Sequence, residues 1–257
     1  MECDGESGRE CAGECKEESP RLIDFSVHLI YTYAMLENIS VIAFDIDGTL
    51  YHPLALYARA MGYFLRHLKF FLSFNKVRKI LHRTAPLPDF YEYQARLLAE
   101  ELDCPIQEAK DDIQRIVYDG LRPIFAKIKA FGYVRECFER LRNAGYRLAL
   151  LSDFPPSQKG DTWGLLPYCE LVLGSEEIGA LKPSKYPFGV MAQALGVELS
   201  QILYVGNSVR YDVNGAKNAG MKTAYLLSGW RKVFHKSLPE ADISFSNYRQ
   251  FTDIVIQ

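Results

Sequence analysis

Five short apolar runs punctuate the chain: VIAFD (41–45), RLALLS (147–152), ELVLG (170–174), ILYVG (202–206) and TAYLL (223–227). Each is too short for a helix, and such continuous apolar runs suit a strand buried on both faces of a parallel sheet. Helical patterns separate most of them. YVRECFERLRNAG (133–145) puts Val134, Cys137, Phe138 and Leu141 on one stripe and stops at Gly145, while PFGVMAQALG (187–196) stops at Gly196. Glycine after a helix accepts the left-handed conformation that ends it. Strands alternating with helices predict an α/β fold, a doubly wound parallel sheet.

From about 57 to 120 the alternation ceases and only helical periodicity remains. Tyr57, Met61, Phe64, Leu65, Leu68, Phe71 and Leu72 form one stripe. Phe90, Tyr93, Leu97 and Leu98 form a second, and Ile106, Ala109, Ile113, Ile116 and Val117 a third. Three or four helices inserted after the first strand make a small bundle. The expected division is an α/β core of 21–56 and 121–257 with a helical insertion of 57–120. Residues 22–36 fit a strand or a helix face, and pack on the core or on a second copy in a homodimer.

Composition narrows the setting. Residues 1–20 are rich in Glu and Gly with almost nothing large and apolar, which predicts a disordered acidic tail. A net charge of −2 gives no general pull toward nucleic acid or membrane. No apolar run spans a bilayer, and the acidic start is unlike a secretory signal, so a cytoplasmic location is expected. Cys11 and Cys15 lack a second Cys or His pair at zinc-site spacing, so the six cysteines are expected to be reduced thiols.

The polar residues of interest fall at predicted strand ends, where open α/β sheets bind ligands. The first strand delivers DIDGTLY, with Asp45 and Asp47 two apart and therefore on one side of an extended segment. One carboxylate can attack while the other handles a proton, or both can be turn residues. Like charges so close repel unless a cation intervenes, and Mg²⁺ suits oxygen ligands and a phosphate substrate. Ser152 ends the second strand and offers a hydroxyl to a phosphate oxygen. Lys182 precedes Pro183, read as a first-turn proline, and neutralises charge. YVGNSVRYDVNGAKNAGM offers Asn207 and Asp212 as further metal ligands, Asp212 being also a candidate helix N-cap.

DIDGT, Ser152, Lys182-Pro183 and the Gly206–Gly220 stretch, in this order, resemble the four motifs of the haloacid dehalogenase superfamily over roughly residues 40–250. The resemblance implies a Rossmann-like core and a phosphatase whose helical insertion is a cap of the family's first type. It implies Asp45 as nucleophile, forming an aspartyl-phosphate, and Asp47 as proton donor and then acceptor. Ser152 and Lys182 orient and neutralise the phosphoryl group, with Thr49 and Asp153 in the substrate-binding set. Mg²⁺ is implied on Asp45, the Asp47 carbonyl, Asn207 and Asp212. About thirty residues separate Ser152 from Lys182, too few for the larger cap found there in other members.

Two positions depart from the commoner pattern. Asn207 replaces a usual aspartate and removes a charge. Asp153 adds a carboxylate near the phosphate, unfavourable unless it turns away. The basic stretch KFFLSFNKVRKILHRT (69–84) reads as helix core plus solvated face. The loop FPPSQKGDTWG (154–164) reads as solvent-facing, with Lys159 and Trp163 as secondary candidates for substrate contact. The expected partner is a small phosphorylated metabolite. A sugar-phosphate mutase and a non-catalytic binding or regulatory member are the alternatives; Asp47 argues against a dehalogenase, whose halide needs no proton.

Overall fold

The computed structural model describes residues 36–256. The predicted tail (1–20) and all but the last residue of segment 22–36 lie outside that range. Six parallel strands form one sheet in the order β3-β2-β1-β4-β5-β6. They are β1 (Val41–Phe44), β2 (Arg147–Ser152), β3 (Leu171–Gly174), β4 (Ile202–Gly206), β5 (Lys222–Leu226) and β6 (Ile243–Phe245). The expected doubly wound sheet is therefore present. The five predicted strands match within a residue at each end, and β6 is the one not foreseen. Its three residues, Ile243, Ser244 and Phe245, are too few to carry a pattern.

Side chains of β1 alternate between two apolar layers. Ile42 and Phe44 face one layer, where Phe44 stacks on Phe138 at 4.6 Å and meets Phe251 edge-on. Val41 and Ala43 face the other, with Ala149, Leu151, Phe188 and Met191. Burial on both faces is what the continuous apolar runs required.

Helices run without a strand from Pro53 to Phe125. They are α1 (Pro53–Arg66), α2 (Leu68–Leu81), α3 (Phe90–Leu102), α4 (Ile106–Asp112), a π-helical turn (Ile113–Asp119) and α5 (Gly120–Phe125). Pro53 at the first helical position starts α1, and the Asp89 carboxylate caps α3 by accepting the Glu92 N–H at 2.8 Å. The two ends of the insertion meet at the core. Tyr51 bridges Ala130 in antiparallel fashion, and the Phe131 N–H donates to the Leu50 carbonyl at 2.8 Å.

The first predicted stripe does not become core. A turn at His67 splits it, and Met61 and Leu65 are 53% and 62% exposed. Tyr57, Leu68 and Leu72 are also exposed, while Phe64 and Phe71 are half-buried. The buried face is carried instead by Ala60, Phe70, Phe74, Val77 and Leu81. Aromatic and leucine residues occupy both faces of α1 and α2, so periodicity could not tell which face was inward. The second and third stripes pack as expected, except that Ile106 is exposed.

The remaining helices are α6 (Val134–Asn143), α7 (Ser175–Ile178), α8 (Lys185–Leu195), α9 (Asn214–Ala219), α10 (Gly229–Val233) and α11 (Tyr248–Val255). Ser184 caps α8, so Pro183 stands before the cap rather than in the first turn. Cys104, Cys137 and Cys169 are free thiols. Among the described residues no helix is long and apolar enough to cross a membrane.

Candidate active site

The ends of β1, β2 and β4 converge where the chain order of the sheet reverses, with β1 between β2 and β4. Asp45 leaves β1 at this point and is buried. Its Oδ1 accepts from Lys182 Nζ at 2.7 Å, and its Oδ2 from the Thr49 hydroxyl at 2.7 Å. Lys182 spends its other two protons on Asp212 Oδ1 at 2.7 Å and the Tyr204 hydroxyl at 3.1 Å. All three donors of this buried ammonium are thus satisfied, as burial of a charge demands. Burial alone would pull Lys182 down, but Asp212 and Asp45 outweigh it and hold the group well above its ordinary value.

Asp47 sits two residues on, more open than Asp45, with different partners. Its Oδ1 accepts the Tyr51 hydroxyl at 2.8 Å; its Oδ2 accepts the Ser152 hydroxyl at 2.9 Å and lies 3.0 Å from Lys159 Nζ. The sequence suggested a cation between the two aspartates. Each carboxylate also has a lysine of its own, Lys182 on Asp45 and Lys159 on Asp47. Burial raises Asp45 to about 7, with Lys182 pulling down and Asp212 and Asp47 pushing up. Burial would raise Asp47 too, but Lys159 and the hydrogen bonds to it lower the group below the ordinary value.

Lys159 corrects the reading of 154–164 as a solvent-facing loop. Its side chain is 0% exposed and its ammonium lies over the rings of Phe125 and Phe154, at 5.2 and 5.3 Å. Gln158 beside it donates to the Val117 carbonyl at 2.7 Å, within the π-helical turn. Trp163 is half-buried, lies tilted against Tyr51 at 5.4 Å and donates to the Ile128 carbonyl at 2.8 Å, so it holds the loop. In the sequence, only the loop's departure from a strand end hinted at Lys159.

The other predicted residues gather here with altered roles. Thr49 is fully buried, and its hydroxyl is turned inward to Asp45 and to Asn207 Oδ1 at 3.2 Å, rather than outward to a substrate. Ser152 also accepts the Phe154 N–H at 3.2 Å, so its hydroxyl orients Asp47 in this state. Asp153 lines the cavity beside Asp45 and Lys182, and its Oδ1 accepts the Lys182 backbone N–H at 3.0 Å. Asp212 lies inside a π-helical turn (Val209–Val213) whose N-cap is Ser208, so it is not the cap. Its Oδ2 accepts the N–H groups of Asn207 and Ser208 at 3.1 and 2.9 Å. A Cβ on Gly206 would fall 2.3 Å from the Asp212 Cβ, and one on Gly48, at φ +87°, 2.5 Å from Asn207 Nδ2. Both glycines are needed for these close approaches.

The insertion reaches the site through α2 and the loop after it. Arg78, expected on a solvated face, is buried against Glu176 of α7 and donates to Gln94 at 3.2 Å. Tyr118 donates to the other Glu176 oxygen at 2.6 Å. Lys69, Lys76, Lys79 and Arg83 do remain exposed. His82 donates from Nδ1 to the Lys182 carbonyl at 2.5 Å and stacks on Tyr211 at 4.3 Å; burial lowers its pKa. The Leu87 N–H donates to the Gly179 carbonyl at 2.9 Å. The insertion is thus folded down onto the strand ends.

Whether these residues suit a divalent cation can be judged from their donors. Among the described residues, no three Asp, Glu, His or Cys side chains are gathered as a metal site. Asp45, Asp212, the Asn207 amide oxygen and the Asp47 carbonyl nevertheless form an all-oxygen set, the kind hard cations take. The Thr49 hydroxyl touches both Asp45 Oδ2 and Asn207 Oδ1, which draws those two oxygens together. The set fits Mg²⁺ with one carboxylate fewer than the resemblance leads one to expect.

Residues 39–220 match the model of the haloacid dehalogenase-like hydrolases. The chain belongs to this family. It is 29% identical over 202 residues to the glyceraldehyde 3-phosphate phosphatase of Pyrococcus abyssi, covering 74% of this chain and 82% of that one. Identity to the phosphoglycolate phosphatase of Vibrio vulnificus (strain YJ016) is 26% over 229 residues, covering 86% and 97%. The structure of L-2-haloacid dehalogenase from Xanthobacter autotrophicus superposes with a TM-score of 0.58 at 19% identity, covering 84% of this chain and 98% of that one; this likeness is one of fold.

Proposed function

We propose that the chain is a Mg²⁺-dependent phosphatase that hydrolyses the phosphate monoester of a small molecule through an aspartyl-phosphate on Asp45. The observation that supports this reading is the pairing of Asp45 with Lys182 and of Asp47 with Lys159 at the end of β1. In the first step an Asp45 oxygen attacks phosphorus and the bond to the alcohol oxygen breaks. Asp47 gives that oxygen its proton. In the second, water attacks the aspartyl-phosphate, Asp47 takes the water's proton, and inorganic phosphate leaves with Asp45 restored.

Asp47 is ionised when Lys159, Tyr51 and Ser152 all hold it. An entering phosphate dianion competes for Lys159 and Ser152 and adds negative charge, and both effects raise Asp47 toward the protonated form that can donate. Lys182 neutralises charge on Asp45 and the phosphoryl group. Asp45, Asp212, Asn207 and the Asp47 carbonyl would hold Mg²⁺, which when bound supplies positive charge to the phosphoryl oxygens.

Incubation with p-nitrophenyl phosphate and Mg²⁺ tests the reading. Turnover in the wild type and its loss in Asp45→Asn are expected. Wild-type turnover that Asp45→Asn retains removes Asp45 as nucleophile, and a wild type inactive on every phosphate ester favours a binding protein.

A further inference from the structure

Two cavities meet at the strand ends. The smaller, about 270 Å³, is the more polar and is lined by Asp45, Arg78, His82, Asp153, Lys182 and Asp212, with Phe74 and Phe154. The larger, about 610 Å³, shares Asp47, Asn207 and Ser208 with it and is bounded further out by Leu56, Phe64, Leu68, Phe71, Leu121 and Phe125. Its size is that of pockets holding whole organic ligands, roughly 300–1,000 Å³. Among the described residues no lysine, arginine or histidine lines it. The one arginine lining the polar cavity, Arg78, is already paired with Glu176.

The two cavities divide a phosphate ester between them. The phosphoryl group belongs beside Asp45 and Lys182. Asp47 lines both cavities and is the residue that meets the leaving oxygen, so the alcohol extends into the larger one. We infer that this alcohol is uncharged, largely apolar and bigger than a three-carbon unit: a medium-chain alkyl or an aryl alcohol. The inference rests on the phosphatase reading above. A short acid such as glycolate would leave the apolar walls unfilled, and the cation at their edge, Lys159 beside Phe125 and Phe154, is already held by Asp47. The exposed leucines of α2 also acquire a role, since Leu68 and Leu72 wall this cavity.

The test is a chain-length series from propyl to octyl phosphate, each below its micelle concentration, with phosphoglycolate and 1-naphthyl phosphate alongside. We expect kcat/KM to rise up to about fourfold per added methylene, the value of burying one such group. Phosphoglycolate is expected to be slow and naphthyl phosphate fast. Leu72→Gln flattens the slope. In parallel, calorimetry on Asp45→Asn compares octyl with propyl phosphate, and the octyl ester is expected to bind more tightly. A flat or falling series with phosphoglycolate preferred overturns the inference and leaves the phosphatase reading intact. If no ester turns over, calorimetry decides. Tighter binding of the octyl ester sustains the apolar ligand class and removes the phosphatase reading. Equal or absent binding, as when a segment of the chain or a second copy fills the cavity, overturns both.

Discussion

The α/β half of the molecule and its helical insertion solve opposite problems. In the sheet, β1 is buried on both faces, and each polar group at its end has a defined partner. The insertion spends apolar residues on its surface: Leu65 and Leu72 are 62% and 57% exposed. What it contributes to the site is enclosure, with only Arg78, His82 and a few uncharged side chains near the strand ends. The difference teaches where each property resides. Bond-breaking groups need fixed geometry and sit on rigid strand ends, whereas the surface that accepts the variable part of a ligand is built from adaptable apolar side chains.

Four substitutions probe that division. Asp45→Asn, in the sheet half, should lower turnover at least about a hundredfold with the fold intact; retention of more than a few per cent of the wild-type rate on p-nitrophenyl phosphate would place the chemistry elsewhere. Lys159→Met should cost roughly tenfold to a hundredfold in kcat, because Asp47 loses its cation. The limb of its pH–rate profile that reports Asp47 should move upward, since Lys159 is what holds Asp47 low. An unmoved profile would mean that Lys159 serves packing alone.

Arg78→Met attacks the seam between the halves. It leaves the Glu176 carboxylate buried without its cation, a loss of roughly 3–5 kcal/mol in stability. Burial already raises Glu176 above its ordinary 4.5, against Arg78 and Tyr118 pulling down. A carboxyl raised in the folded state loses stability as pH climbs above the unfolded value, because the folded form alone keeps the proton. Removing Arg78 raises it further, so the deficit in melting temperature should be larger at pH 8 than at pH 5. A deficit independent of pH would point to packing rather than charge. The smallest effect is expected from Asn207→Asp, which adds a carboxylate to the oxygen set and should tighten Mg²⁺ binding by about tenfold. Equal magnesium titrations with and without a phosphate analogue would show that residue 207 is not a ligand.

Legibility followed the same line. Strand runs such as ILYVG have one reading; Asp45 and Ser152 fall at strand ends, Asp212 follows the end of β4, and Lys182 follows α7. These residues converge because the sheet order brings β1, β2 and β4 together. Lys159 stayed hidden because its burial depends on Phe125, thirty-four residues earlier in the chain, folding over it. Arg78 stayed hidden because a buried arginine needs a partner, and Glu176 is ninety-eight residues away. The α1–α2 stripe misled because both faces are apolar; only the cavity between the halves tells which is covered. Thr49 was placed in the right neighbourhood, but hydrogen-bond direction, which sequence does not encode, turns its hydroxyl toward Asp45 and Asn207.

Tyr51 carries a mechanical meaning. It stands at the foot of the insertion, paired in a bridge with Ala130, where outgoing and returning strands of chain lie side by side. Its hydroxyl is also a clasp on Asp47. The base of the helical half and the partner of the Asp47 carboxylate are therefore one residue. One aromatic side chain thus ties the stalk of the insertion to a carboxylate at the end of β1, like a pin shared by a hinge and a clasp.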